Sequence, residues 1–246
     1  MRVKIFADGA DLETIRSLYA NPVIKGFTTN PTLMRAAGVK DYKAFAIDVL
    51  ETVRDRPVSL EVFVDGFEGM VAQGLEIGSW APNVNVKIPV VDSQGRFTGP
   101  VIRRLSESGV HVNVTAVFTL DQVKAVAECL QPSIPAYVSI FAGRIADCGI
   151  DPVPVVAQAV DILRSLPATE IIWASPRELL NVFHADKCGC HIITATPDIL
   201  KKLTLVGKDQ LQYSIETSRM FLTDAQSAGY TIPLPAGANR AKELAS

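Results

Sequence analysis

Val84-Asn85-Val86-Lys87-Ile88-Pro89-Val90 is a short apolar run that carries a single lysine and closes on a proline. Its apolar character reads as a buried strand, and the proline, which cannot donate to a sheet ladder, marks the strand's end. An ammonium in that setting is costly to desolvate, so the neutral amine becomes available as a nucleophile toward a carbonyl. Lys87 is therefore a candidate Schiff-base lysine. The plain alternative is a lysine that snorkels from a strand end to solvent. The residues at the ends of the other strands decide between the two.

Outward from this stretch, short apolar runs alternate with helix-period segments along most of the chain, the signature of repeated βα units and a parallel sheet. Strands are predicted over 3–7, 24–28, 58–62, 84–88, 111–115, 136–141, 170–174 and 190–194. Helices are predicted over 11–19, 41–55, 66–80, 99–108, 120–130, 152–166, 176–185 and 197–203. Asp151 before Pro152 and Thr196 before Pro197 are start signals, each a capping side chain followed by a proline in the first turn. Eight strands each followed by a helix is the count for an α/β fold of the closed (β/α)8 TIM-barrel type. A further amphipathic helix is expected over 214–229. One barrel domain would span 1–232 with that helix included, leaving 233–246 as a flexible tail or an arm that reaches a neighbouring subunit. An open doubly wound sheet is the competing architecture, but it calls for a glycine-rich nucleotide loop after the first strand, and none follows Ala7.

The length of 246 residues suits one such barrel, and 48% hydrophobic residues supply a large core. Lys+Arg 24 against Asp+Glu 26 leaves a net charge of -2. So balanced a chain has no global field for nucleic acid or an anionic membrane, and any anion must meet a local cluster. The first apolar run is too short for a secretory signal and no window approaches a membrane span, so a cytoplasmic location is expected. Cys129, Cys148, Cys188 and Cys190 make no disulfide framework in a chain of this size. His184, Cys188, Cys190 and His191 are close in sequence, but the Cys188–Cys190 spacing is tighter than a zinc knuckle and a strand there would split the donors between two faces. Buried thiols, and no metal site, are the expectation.

In barrels of this type the active site lies at the carboxyl ends of the strands. Asp8 follows the first strand, Thr28-Thr29-Asn30-Pro31 the second, Glu61 sits in the third and Lys87 in the fourth. Asn113 and Thr115 share a face of the fifth. Ser139, Phe141 and Arg144 belong to the end of the sixth, Ser175 and Arg177 to that of the seventh. Each has an ordinary reading of its own: Asp8 and Asn30 as caps, Glu61 as a structural ion pair, the arginines as solvated charges. Converging on one barrel mouth, they are hard to read as separate accidents.

Phe6-Ala7-Asp8-Gly9-Ala10-Asp11, Gly26-Phe27-Thr28-Thr29-Asn30-Pro31-Thr32, Val86-Lys87-Ile88-Pro89, Asn113-Val114-Thr115 and Ala174-Ser175-Pro176-Arg177 together resemble the signatures of the transaldolases, in particular their short single-domain branch, which includes the fructose-6-phosphate aldolases. The resemblance runs over nearly the whole chain, and the second motif is highly specific. It implies that Lys87 forms an iminium with the C2 carbonyl of a ketose phosphate and that Asp8 is the general base at the C4 hydroxyl. It implies that Glu61 and Thr115 hold a proton-shuttling water. Thr29, Asn30, Asn113 and Ser139 would bind the dihydroxyacetone hydroxyls, and Arg144, Arg177 and Ser175 the phosphate. Small sugar phosphates are the implied partners, no cofactor is needed because the lysine is the electron sink, and a homo-oligomer, a pentamer or decamer, is implied as well.

Glu61 and Phe141 are similar to the transaldolase branch, whereas the aldolases have glutamine and tyrosine there. Both positions point to transfer of a dihydroxyacetone unit over its release. Ala7 and Gly9 beside Asp8, and the absence of a proline after Ser139, depart from the family pattern and leave room for a specialised anionic sugar. A catalytically silent binding protein on the same barrel is the third reading, against which stands the joint presence of Lys87, Asp8, Glu61 and Thr115.

Overall fold

A computed structural model of the chain describes residues 1–233. The chain divides into two compact units, Met1–Leu203 and Thr204–Ser246. In the first, eight strands close into one barrel in sequence order: β1 (Lys4–Asp8), β2 (Ile24–Thr28), β3 (Val58–Glu61), β4 (Val84–Pro89), β5 (Val112–Val117), β6 (Ala136–Ile140), β7 (Thr169–Trp173) and β8 (Ile192–Ala195). All eight pairings are parallel, including β1 with β8. This is the (β/α)8 TIM barrel that the alternation of apolar runs predicts. The helix expected over 214–229 lies in the second unit as Gln210–Ser227, where Asp209 caps it by accepting from the Gln212 N–H at 2.8 Å. The tail expected over 233–246 falls, beyond Pro233, outside the described residues.

The strands form where Val and Ile run together, because both faces of each are covered. Outward residues such as Val58, Leu60, Val86, Ile88, Val112 and Val114 are buried against the surrounding helices. Inside the barrel a small second cluster of Phe6, Ile172, Ala174 and Ile192 fills one side of the floor. Gly26 makes room for it, since a Cβ there would stand 2.5 Å from the Phe6 ring. The rest of the interior is polar, with Ser59, Asn85, Lys87, Asn113 and Ser139 all buried.

The helices of this unit are α1 (Leu12–Tyr19), α2 (Pro31–Ala36), α3 (Tyr42–Thr52), α4 (Phe67–Gly78), α5 (Gly99–Glu107), α6 (Leu120–Ala127), α7 (Ala142–Asp147), α8 (Pro152–Ile162), α9 (Leu180–Lys187) and α10 (Pro197–Lys201). Two differ in kind from the expectation: α2 and α7 are extra six-residue helices inserted directly after β2 and β6. A third, α9, starts at Leu180 rather than 176, because Ser175 takes a left-handed backbone (φ 58) and the Asn181 side chain accepts from the Arg177 N–H at 2.8 Å. Asp151 caps α8 through the Val153 N–H at 2.9 Å, as expected, but Thr196 makes no side-chain cap on α10. Among the described residues no helix is long and apolar enough to cross a membrane, and no cluster of His, Cys, Asp and Glu could hold a metal ion. The His191 ring instead accepts from the Ile171 N–H at 3.0 Å, within the sheet.

Candidate active site

The carboxyl ends of the strands open into a cavity of about 410 Å³. Register sets who faces it. Glu61 pairs with Lys87 across β3–β4, Lys87 with Asn113 across β4–β5, and Asp8 with Thr28 across β1–β2, so side chains two residues apart on each strand repeat the same inward face. Eleven of the predicted residues line the cavity: Asp8, Asn30, Glu61, Lys87, Asn113, Thr115, Ser139, Phe141, Arg144, Ser175 and Arg177. The twelfth, Thr29, does not. Its side chain points away, is fully buried and donates to the Ser59 carbonyl at 3.0 Å. What Thr29 gives the site is its own carbonyl, which accepts from Lys87 Nζ at 2.7 Å.

The second acceptor for Lys87 Nζ is Glu61 Oε2, at 2.9 Å. Both side chains are largely buried, so the pair is weakly screened. The lysine therefore does not snorkel outward; its amine is held inside the mouth against a carboxylate.

Asp8 lies in the same cavity. Its Oδ1 accepts from Thr28 Oγ1 at 2.8 Å, and its Oδ2 from Asn30 Nδ2 at 3.2 Å. Burial pushes its carboxyl above the usual range, an effect opposed by the Lys87 charge and the two hydrogen bonds and reinforced by Glu61. A carboxyl shifted upward is a stronger base toward a hydroxyl proton and holds that proton more readily until it is returned. Asn30 is both cap and site residue: its Oδ1 accepts from the Leu33 N–H at 3.0 Å, capping α2, which aims the amide nitrogen at Asp8. The short helix thus orients a group at the mouth.

A buried polar row crosses the floor. Asn113 Nδ2 donates to Ser59 Oγ at 3.0 Å, and Asn113 Oδ1 accepts from Ser139 Oγ at 2.7 Å. Thr115 sits just before Ala116, whose left-handed backbone (φ 57) coincides with the register shift of β5 against β6 and turns the strand end at the cavity wall. Beside it, at the end of the neighbouring β6, Arg144 lies 5.7 Å over the Phe141 ring, and Arg177 is gripped by both oxygens of Asp147, with Nε to Oδ1 at 3.0 Å. The grip pulls the Asp147 carboxyl below its usual range. Two guanidinium groups beside Ser175, one of them paired with the Asp147 carboxylate, leave a rim of net positive charge on a chain of near-zero net charge.

Several contributors were not anticipated. Ser59 and Asp147 orient predicted residues, Thr194 shares a hydrogen bond of 2.6 Å with Thr28, and Thr196 lines the cavity instead of capping α10. Ser59 stands two residues before Glu61, and Thr194 two after the inward-facing Ile192, so strand alternation is the signal that finds them.

A family model described as transaldolase/fructose-6-phosphate aldolase matches residues 5–233. Curated relatives named probable transaldolase include one from Nitrosopumilus maritimus (strain SCM1), 34% identical over 203 residues, which covers 82% of this chain and 87% of the relative. Another, from Desulforudis audaxviator (strain MP104C), is 36% identical over 203 residues, covering 82% and 89%. Among solved structures, a monomeric dihydrodipicolinate synthase variant superposes with a TM-score of 0.57 at 13% identity, over 92% of this chain and 80% of its own. A 2,3-dimethylmalate lyase of the PEP mutase/isocitrate lyase superfamily gives 0.55 at 12% identity, over 96% and 86%. At such identities these neighbours speak to the barrel fold alone. The sequence matches go further, and with them the chain belongs to the transaldolase/fructose-6-phosphate aldolase family of enzymes.

Proposed function

We propose that the protein is a transaldolase that moves a dihydroxyacetone unit from a ketose phosphate, fructose 6-phosphate or sedoheptulose 7-phosphate, to an aldose phosphate through a Schiff base on Lys87. The observation that carries this reading is the seat of the Lys87 amine, 2.9 Å from the Glu61 carboxylate and 2.7 Å from the Thr29 carbonyl, in one cavity with Asp8.

Lys87 attacks C2 of the ketose, the carbinolamine loses water, and the iminium draws the electrons of the breaking C3–C4 bond. Asp8 removes the proton of the C4 hydroxyl and returns it when the acceptor aldehyde adds, a task suited to its raised carboxyl. Glu61 takes the proton of the attacking amine and, with Thr115, handles the water that leaves and comes back. Asn30, Asn113 and Ser139 hydrogen-bond the donor hydroxyls, Phe141 walls the acceptor side, and Arg144, Arg177 and Ser175 hold the phosphate. Small sugar phosphates are the partners in this reading. The assembly is a homo-oligomer, a pentamer or decamer, which a sedimentation mass near that of one chain would refute; the setting is the cytoplasm, where thiols such as Cys148 stay reduced.

Borohydride reduction in the presence of fructose 6-phosphate is expected to fix a three-carbon fragment on Lys87. An unlabelled Lys87 under turnover conditions sinks the proposal. Free dihydroxyacetone formed without an acceptor would instead mark an aldolase, which a carboxylate at position 61 disfavours. A screen of erythrose 4-phosphate, glyceraldehyde 3-phosphate and other anionic aldehydes identifies the acceptor or reveals a specialised sugar.

A further inference from the structure

Tyr42 belongs to the first turn of α3 and not to a strand, yet its hydroxyl bonds twice to the backbone of Glu61. It accepts from the Glu61 N–H at 2.9 Å and donates to the Glu61 carbonyl at 3.1 Å. The β2–β3 ladder explains why both groups need it. Its rungs run from Phe27 N–H to the Pro57 carbonyl at 2.9 Å and from Thr29 N–H to the Ser59 carbonyl at 3.2 Å. Continued in register, a parallel ladder would next join Glu61 N–H to the Thr29 carbonyl, then the N–H of residue 31 to the Glu61 carbonyl. The Thr29 carbonyl, however, accepts from Lys87 Nζ, and residue 31 is Pro31, which has no N–H. One tyrosine hydroxyl stands in for both rungs.

We infer that Tyr42 is a positioning residue for the Lys87–Glu61 pair. By satisfying the Glu61 backbone it leaves the Thr29 carbonyl to the lysine amine and fixes the point from which the Glu61 side chain reaches Lys87. The ring is built in to do this. It packs edge-on against Phe63 at 4.4 Å and lies 6.0 Å from Trp80, and Asp41 caps the helix that carries it through the Ala44 N–H at 3.0 Å. Burial pushes the phenol well above its usual range, so the hydroxyl stays a donor at every working pH. Without it, the parallel register would carry the Glu61 N–H to the Thr29 carbonyl, where it competes with Lys87.

The kinetic part of the test rests on the transaldolase reading; the chemical part does not. Tyr42→Phe keeps the ring and removes the hydroxyl. It is expected to lower kcat for transfer by about tenfold or more, the scale of a displaced catalytic group. The KM for the ketose phosphate should stay near wild type, because Asn113, Ser139, Arg144 and Arg177 are untouched. With no substrate present, trinitrobenzenesulfonate should label Lys87 faster in this variant, as the amine loses an acceptor. Tyr19→Phe, which removes a phenol hydroxyl that donates to Asp55 on the surface at 2.7 Å, should match wild type in kcat and labelling. Wild-type kcat and labelling in Tyr42→Phe overturn the inference. So does faster labelling of lysines throughout the chain together with a lowered melting temperature, which marks a merely structural tyrosine. If wild-type protein forms no trapped imine, it is the transaldolase reading that fails, and Lys87 labelling still judges Tyr42.

Discussion

Gly143, the second residue of α7, meets the loop after β7 at a distance no side chain can share. A Cβ there would stand 1.6 Å from the Ser175 carbonyl oxygen, where contacts under 3.0 Å essentially never occur. Neither side yields easily, since the obstacle is backbone: Ser175 is already left-handed at φ 58, and Gly143 N–H is bonded to the Ala174 carbonyl at 3.4 Å. Gly143→Ala must therefore part the two segments by at least about 1.4 Å, the difference between 1.6 and 3.0 Å. Overpacking of this sort costs about 1–3 kcal/mol. In a chain of this size that lowers the melting temperature by roughly 2–12 °C.

The functional cost follows from what the segments carry. Arg144 follows Gly143 directly, while Ser175 and Arg177 lie on the other side of the contact. Parting them spoils the cationic rim without reaching Lys87. Misplacement by about 1 Å is worth on the order of 100-fold in rate, so kcat/KM for the phosphorylated donor should fall to that degree. Borohydride trapping of a small unphosphorylated ketone on Lys87 should persist. Calorimetry and steady-state kinetics on purified Gly143→Ala read both effects. Gly9→Ala is the stability control, for nothing lies within 4 Å of the Cβ it would add. A Gly143→Ala protein with the melting temperature and kcat/KM of the wild type would refute the reasoning.

Other perturbations probe the remaining parts of the site. Glu61→Gln keeps the shape but not the charge beside Lys87, and should slow transfer on the order of 10²-fold; imine-trapping rates at matched donor concentration check it. Arg144→Met should raise the KM for phosphorylated acceptors by about tenfold, the value of one charge-assisted hydrogen bond, with little change for an unphosphorylated aldehyde. Asp8 yields a pH test: burial raises its carboxyl from 3.8 in the fold, so its contribution to stability is present below that value and is lost as pH rises through the folded value. The urea midpoint of the wild type minus that of Asp8→Asn should thus decline from about pH 4 to pH 7, and a constant or growing difference would contradict it.

Which parts of this site a sequence reveals depends on whether a side chain or a backbone atom does the work. Asp8, Glu61 and Lys87 are ionisable groups on or beside apolar strands, and Asn113 and Thr115 share a face by spacing alone, so their convergence follows from strand count and alternation. The same alternation, carried from Gly26 to Thr28, turns Thr29 outward, and its side chain is indeed spent on the Ser59 carbonyl. Its contribution through a carbonyl has no residue-type signature, because every residue has one. Tyr42 and Asp147 escape for a related reason: they come from α3 and α7 and act on groups distant in sequence, where strand periodicity has no purchase. The short helices α2 and α7 are hidden too, being only six residues each, too brief to show an apolar period. Yet α2 has a local cause that could be read: Pro31 ends the ladder of β2 by removing an N–H and occupies the first helical position, with Asn30 as the cap. The proline that starts that helix is the same one that leaves the Glu61 carbonyl to Tyr42. A single residue thus breaks the ladder, begins a helix that aims Asn30 at Asp8, and creates the vacancy that a tyrosine from the next helix fills.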